Sequence, residues 1–226
     1  MLISAMVGLD LRTTLDMDAT IKGLKLSEEN LVKIIDEIIK LDVHDDVTFK
    51  ISKVMNIREE EDYDGYRITL QGTFQTIVTN FKIDITTGDI IIPKEISYKF
   101  KLLFEEREIG ILAYNLETVL SEKIEAIISK AELNTRARDY YDLYILNKFQ
   151  RQNINENLLK EAVIRKFEDR QTQESLKNIN KIIDNIQDSD ILKGLWNNYT
   201  RKFVYAEDIT FEDIINSLKE FIKIIK

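Results

Sequence analysis

The chain has 226 residues, 32 Lys plus Arg against 40 Asp plus Glu, a formal net charge of −8, and no cysteine. Disulfide scaffolds, thiol nucleophiles and cysteine-ligated zinc are therefore excluded, and the single histidine, His44, argues against a His-rich metal site or a Ser-His triad. The acidic balance gives no global attraction to nucleic acid or an anionic membrane, and 44% hydrophobic residues are enough for one large or two small cores.

The apolar run Met1 to Val7 lacks a basic leader and meets Asp10 and Arg12 at once, and no stretch approaches the ~20 apolar residues of a membrane span, so the expected location is cytoplasmic. From Thr14 to Lys22 the residues alternate, with Leu15, Met17, Ala19 and Ile21 on one face and Thr14, Asp16, Asp18 and Thr20 on the other. This pattern predicts a strand with one dry face. A helix follows, capped by Ser27, with Glu28 and Glu29 at its positive end and a stripe of Leu31, Ile34, Ile35, Ile38 and Ile39. Strands are then predicted near Val47–Arg58, Tyr66–Gln75, Ile77–Thr86, Ile90–Ile92 and Ile109–Ala113, with acidic Glu59–Gly65 as a hairpin loop. Within Ile77–Thr86, the residues Ile77, Thr79, Phe81, Ile83 and Ile85 share a face, which puts Asp84 on the opposite one with Lys82.

The period becomes helical after an Asn115 cap, with Leu116, Val119, Leu120, Ile124, Ile127 and Ile128 at three- and four-residue spacing. Further helices are predicted at Thr135–Phe149, Asn155–Asp169, Thr172–Asn185, Ser189–Tyr199 and Thr210–Ile225. The expected class is α+β, a mixed sheet with flanking helices (residues 1–114) followed by a C-terminal helical bundle (residues 115–226).

Asp-x-Asp occurs three times. Asp62 and Asp64 belong to an acidic turn, and Asp188 to Asp190 precedes a helix it can cap. Asp16 and Asp18 differ, because strand alternation sets two carboxylates about 6.7 Å apart along one face, where they repel without a cation. Mg²⁺ takes oxygen ligands and serves phosphoryl-transfer sites, and Asp84 is the natural third ligand. The plain alternative is a polar strand face open to water. Lys123 can reach phosphates as a point charge or be an ordinary exposed helix lysine. The cluster of Arg136, Arg138, Asp139, Tyr140, Tyr141, Asp142 and Tyr144 reads either as a nucleotide- or RNA-contacting face or as a helix with interleaved ion pairs. In that face Arg136 and Tyr140 stand at i, i+4, and Asp139 serves as general base or as the orienter of Lys123. His44 reads as a loop residue, and Trp196 as packing for the last helices.

The ordered segments Gly8-Leu-Asp-Leu-Arg-Thr-Thr-Leu-Asp16-Met-Asp18-Ala-Thr20, Lys82-Ile-Asp84-Ile-Thr-Thr-Gly-Asp89, Leu120-Ser-Glu-Lys123-Ile-Glu-Ala126 and Asn134-Thr-Arg136-Ala-Arg-Asp139-Tyr-Tyr-Asp142 together resemble the AbiEii/AbiGii toxin family. These are nucleotidyltransferases of DNA polymerase β-like fold from type IV toxin–antitoxin and abortive-infection systems. The resemblance implies Asp16, Asp18 and Asp84 as catalytic metal ligands, Lys123 as the nucleotide-phosphate lysine, Asp139 as the acid of the fourth motif, and Arg136 with Lys123 as nucleotide-binding residues. It also implies Mg²⁺, an NTP substrate, an RNA acceptor such as tRNA, and a separately encoded antitoxin that represses through DNA binding. In that family a Lys-Gly-Gly or Gly-Ser turn opens the helix before the Asp-x-Asp strand and cradles the triphosphate. Here the sequence starts where that helix is under way, so the resemblance implies an N-terminally truncated domain whose phosphates rest on metal and Lys123. A degenerate, inactive nucleotide- or protein-binding module is the competing expectation, and a protein-modifying kinase a third.

Overall fold

A computed structural model describes residues 2–8, 10–14, 16–23, 27–57, 65–102 and 105–226, with Asp16 described by its backbone alone. The predicted loop at 59–65, including Asp62 and Asp64, falls almost wholly outside those residues. The chain divides into two compact units. Thr13–Asp89 forms the first, and Leu2–Arg12 together with Ile90–Lys226 forms the second.

The first unit is built on a four-stranded sheet. Its strands are β1 (Asp16–Thr20), β2 (Val47–Asn56), β3 (Gly65–Phe74) and β4 (Ile77–Thr86), ordered β1-β4-β3-β2. The meander β2-β3-β4 is antiparallel, and β1 joins β4 in parallel at the edge. Helix α2 (Glu28–Ile39) lies on one face of the sheet. Ser27 caps it by accepting from the Asn30 amide at 3.3 Å, and Leu31 and Ile35 pack with Ile68, Leu70 and Ile85. Burying each such side chain contributes roughly 1.5–3 kcal/mol. The helix does not cover the whole apolar face: Ile38 is exposed, and the expected dry side of β1 is wet at Met17 and Ala19, while Ile21 packs on the core and Leu15 lies outside the described residues. The physical reason is position, since α2 packs toward β2 while β1 lies on the opposite edge. Gly72 sits mid-strand because a Cβ there would meet Phe81 Cε2 at 2.7 Å and Phe49 Cε1 at 3.1 Å.

The second unit begins with α1 (Leu2–Val7) and contains a hairpin of β5 (Ile96–Lys101) and β6 (Glu108–Ala113). Its helices are α3 (Leu116–Lys130), α4 (Ala137–Gln150), α5 (Glu156–Asp169), α6 (Gln173–Lys177), α7 (Ile179–Asp188), α8 (Asp190–Lys202) and α9 (Phe211–Ile225). Helix α4 is central. Tyr140, Tyr141, Leu143, Ile145 and Leu146 bury most of its circumference, and it packs on α1, α3, α8 and α9. Trp196 is buried as expected, and its Nε1 donates to the Ile209 carbonyl at 2.9 Å. Among the described residues no helix is long and apolar enough to cross a membrane.

The α+β class is as the sequence predicts, with two local corrections. Ile90–Ile92 is not a strand. The Ile92 amide donates to Thr118 Oγ1 at 3.1 Å and its carbonyl accepts from Asn115 Nδ2, so the start of α3 takes the groups a ladder would need, and Pro93 has no N–H to offer. Asn115 also caps α3, accepting from the Thr118 amide at 2.8 Å. The strand partner of β6 is instead β5, whose alternation of Ile96, Tyr98 and Phe100 with Ser97, Lys99 and Lys101 carries the period of a strand. The single helix predicted over Thr172–Asn185 is broken at Asn178 into α6 and α7.

Helix α9 carries a reciprocal cap. Thr210 Oγ1 accepts from the Asp213 amide at 3.1 Å, and the Thr210 amide donates to Asp213 Oδ2 at 2.9 Å. Hydrogen bonds from the Thr210 hydroxyl and then its amide hold the Asp213 carboxyl below its ordinary value of 3.8. A depressed carboxyl stabilises the fold above its unfolded pKa, and that contribution fades as pH falls through the folded value. Thr210→Ala is expected to lower unfolding stability by about 1 kcal/mol at neutral pH, with a smaller difference in acid below that range. Urea titrations at the two pH values measure both.

Candidate active site

The polar face of the first unit's sheet follows from strand register. β1 and β4 pair Asp16 with Lys82, Asp18 with Asp84 and Thr20 with Thr86, and β3 sets Arg67 opposite Asp84. Asp18 and Asp84 therefore occupy facing positions on adjacent strands, about 4.8 Å apart across the sheet. Position 16 is one repeat earlier on the same face. Arg67 grips Asp84 as a fork, Nε to Oδ1 at 2.7 Å and Nη2 to Oδ2 at 2.6 Å, while Asp18 is exposed. At the other end of the same ladder, Thr20 and Thr86 donate to Asp89 Oδ2 at 2.9 and 2.6 Å.

Adjacent carboxylates repel in water-exposed positions, and Arg67 offsets one of them. Carboxylate oxygens are the hard ligands that divalent cations such as Mg²⁺ take, although both oxygens of Asp84 are held by Arg67 here. Among the described residues no three His, Cys, Asp or Glu groups converge as a metal cage. Two of the three expected acids are placed side by side by the sheet, and the side chain of Asp16 lies outside the description.

The second unit holds a separate charged cluster where α3 meets α4. Lys123 Nζ donates to Asp139 Oδ1 at 2.6 Å and lies 3.2 Å from Asp142 Oδ2. Arg12 reaches the same Asp142 carboxylate, Nε to Oδ1 at 2.7 Å and Nη2 to Oδ2 at 3.2 Å. The site is deep: Asp142 and Arg12 are buried, Asp139 is 4% exposed, and the Lys123 side chain keeps 25% of its surface. Burial works to lower the lysine pKa, but Asp139 and then Asp142 outweigh it, and the net shift is upward from 10.5. Lys123 is thus an ammonium at neutral pH, suited to binding an anion and not to taking a proton. Asp139 stands in the first turn of α4, where the helix dipole favours a carboxylate.

Asp139 and Lys123 meet, as an orienting pair would. Arg136 does not share a face with Tyr140: it is the exposed residue preceding α4, outside the helical geometry, whereas Tyr140 is 3% exposed in the core. Burial pushes the Tyr140 and Tyr141 hydroxyls up, so both stay neutral. The ion-pair partners absent from the sequence expectation are Arg67, Arg12 and the paired role of Asp142. Arg67 had a signal, because the two-residue turn Gln75-Thr76 sets it across from Asp84. Arg12 and Asp142 are 130 residues apart and had none.

Comparison with known proteins brings three findings. No curated protein matches the chain. In fold, JHP933 from Helicobacter pylori is similar over 95% of this chain and 75% of its own, with TM-score 0.48 and 16% identity. A second H. pylori protein, described as a candidate nucleotidyltransferase, is similar over 95% and 80% with TM-score 0.44 and 14% identity. Residues 1–217 match the family of nucleotidyl transferase AbiEii toxins of type IV toxin–antitoxin systems, and the chain belongs to that family.

Proposed function

We propose that this nucleotidyltransferase toxin transfers a nucleotide from an NTP to an RNA acceptor such as tRNA, with Mg²⁺ held by Asp16, Asp18 and Asp84. The observation that carries the reading is the register of β1 on β4, which makes Asp18 and Asp84 neighbours on one polar face with position 16 beside them. An oxygen of the acceptor bonds to the α-phosphorus, the bond to the β-phosphate breaks, pyrophosphate leaves and the acceptor proton passes to solvent. Bound Mg²⁺ would supply charge neutralisation on the triphosphate and a more acidic acceptor hydroxyl.

The chain's own residues have distinct tasks. Arg67 fixes the rotamer of Asp84 through two parallel hydrogen bonds, so the carboxylate does not swing into bulk water. Lys123 is a permanent cation for the nucleotide phosphates, and Asp139 orients it. Arg136, exposed ahead of α4, is free of the buried core and contacts nucleotide or acceptor. An antitoxin encoded separately would restrain this activity.

The test is Mg²⁺-dependent transfer of label from each of the four NTPs to total RNA, or to protein, with wild type and Asp16→Ala. Labelled RNA from wild type, lost in the variant and in chelator, supports the reading. Equal behaviour of the two proteins with every NTP sinks it, and label on protein alone replaces the RNA acceptor.

A further inference from the structure

The cluster around Lys123 contains two residues without a task so far, Arg12 and Asp142. Asp142 is fully buried and is gripped on both oxygens by Arg12, and its Oδ2 is shared between Arg12 Nη2 and Lys123 Nζ, each at 3.2 Å. A guanidinium fork of this kind fixes the place and the plane of a carboxylate. The backbone before Arg12 is pinned separately, because Tyr141, the neighbour of Asp142 on α4, donates its hydroxyl to the Leu11 carbonyl. The anchor is therefore a rigid part of the helical unit.

Its effect falls on Lys123. An ammonium has three N–H donors on a flexible four-carbon stem. Asp139 takes one at 2.6 Å and Asp142 faces a second at 3.2 Å. Among the described residues the third has no partner, and a quarter of the side chain, 25%, is open to solvent. Charge counting adds a constraint. Arg12 and Lys123 bring two positive charges against the two carboxylates of Asp142 and Asp139, so much of the lysine's charge is balanced locally and the cluster owes little of its grip on an anion to net charge. What it offers is one N–H held in direction.

We propose that Arg12 and Asp142 are positioning residues that aim the free N–H of Lys123 at a nucleotide phosphate. The proposal rests on the reading of Lys123 as the phosphate-binding lysine. Neither residue touches the nucleotide; both act through Lys123.

The test is equilibrium dialysis of labelled ATP, GTP, CTP and UTP against wild type, Lys123→Ala, the double variant Arg12→Met/Asp142→Leu, and the triple combination, with urea midpoints for each. Apolar residues of similar volume in place of a buried ion pair commonly leave the fold intact. Losing one charge-assisted hydrogen bond is expected to weaken the best-bound NTP about tenfold in Lys123→Ala, and the double variant about as much at an unchanged midpoint. The triple variant should then bind no worse than Lys123→Ala, since both changes remove the same contact. A double variant that binds like wild type, or whose effect adds in full to that of Lys123→Ala, overturns the proposal. Unaltered binding in Lys123→Ala instead removes the phosphate-lysine reading beneath it. Should the double variant shift its midpoint, Arg12→Lys keeps the charge and gives up the fork. About threefold weaker binding then supports positioning, and wild-type binding refutes it.

Discussion

Asp142→Leu by itself is expected to destabilise the helical unit by about 3–5 kcal/mol, and Arg12→Met added to it to restore that loss and return the urea midpoint to that of wild type. The asymmetry comes from burial. In the single variant the Arg12 guanidinium, 6% exposed, keeps its charge but loses both oxygens that satisfy its fork. It does not escape by deprotonation, because arginine titrates far above neutral pH. Removing both partners removes the buried charge whose carboxylate has gone and leaves apolar contacts of similar volume. Trp196, the only tryptophan, lies buried in the same unit, so its fluorescence in urea reports the loss directly. A single-variant loss under about 1 kcal/mol would mean that water reaches the pair, against the burial seen here. The cluster also sets the alkaline side of stability. A lysine whose pKa is raised in the folded state contributes fully below its unfolded value, and the contribution is lost as pH rises through the folded one. The ion pairs of Lys123 therefore persist across the neutral range and weaken only above its ordinary 10.5.

Asp18→Ala is expected to reduce label transfer about 10²- to 10³-fold while leaving unfolding within about 0.5 kcal/mol of wild type. The side chain is exposed on an edge strand and no core contact depends on it, so its removal costs little stability. In the proposed reaction its contribution is electrostatic, as one of two facing carboxylates that would hold a cation against the triphosphate. Asp84→Ala is the less clean experiment, because it strips Arg67 of a two-bond partner and removes a negative charge that offsets the arginine on the face proposed to hold the metal. Transfer by Asp18→Ala within about threefold of wild type would show that the facing pair is ornamental to the chemistry.

Much of this was written in local pattern. The polar and apolar faces of β4 could be read from alternate residues, and Asp84 stands on the polar one with Arg67 across from it. The predicted caps at Ser27 and Asn115 both accept from a backbone amide three residues on, and Ser189 and Thr210, not named as caps from the sequence, do the same. The helical stripes of α3 and α9 became core. Pattern failed where the environment was decided elsewhere. Ile92 had the composition of a strand, but Asn115 and Thr118 claimed its backbone groups. Met17 and Ala19 had the period of a dry face, but both are exposed, because α2 packs toward β2 and β1 lies at the opposite edge of the sheet.

The amino-acid order by itself determined the class of the fold, the four ordered motifs, and the polar side of its own strand for each of positions 16, 18 and 84, because a strand's two-residue period and a helix's stripe are set by neighbours along the chain; the pairing of β1 with β4 put them on one face. Tertiary structure alone decided that Arg12 holds Asp142, that Asp142 and Asp139 together hold Lys123, and that Arg136 stays outside while Tyr140 goes in. Ion pairs between residues 130 positions apart carry no local periodicity; they exist only once packing has removed water from both partners and set the guanidinium against the carboxylate.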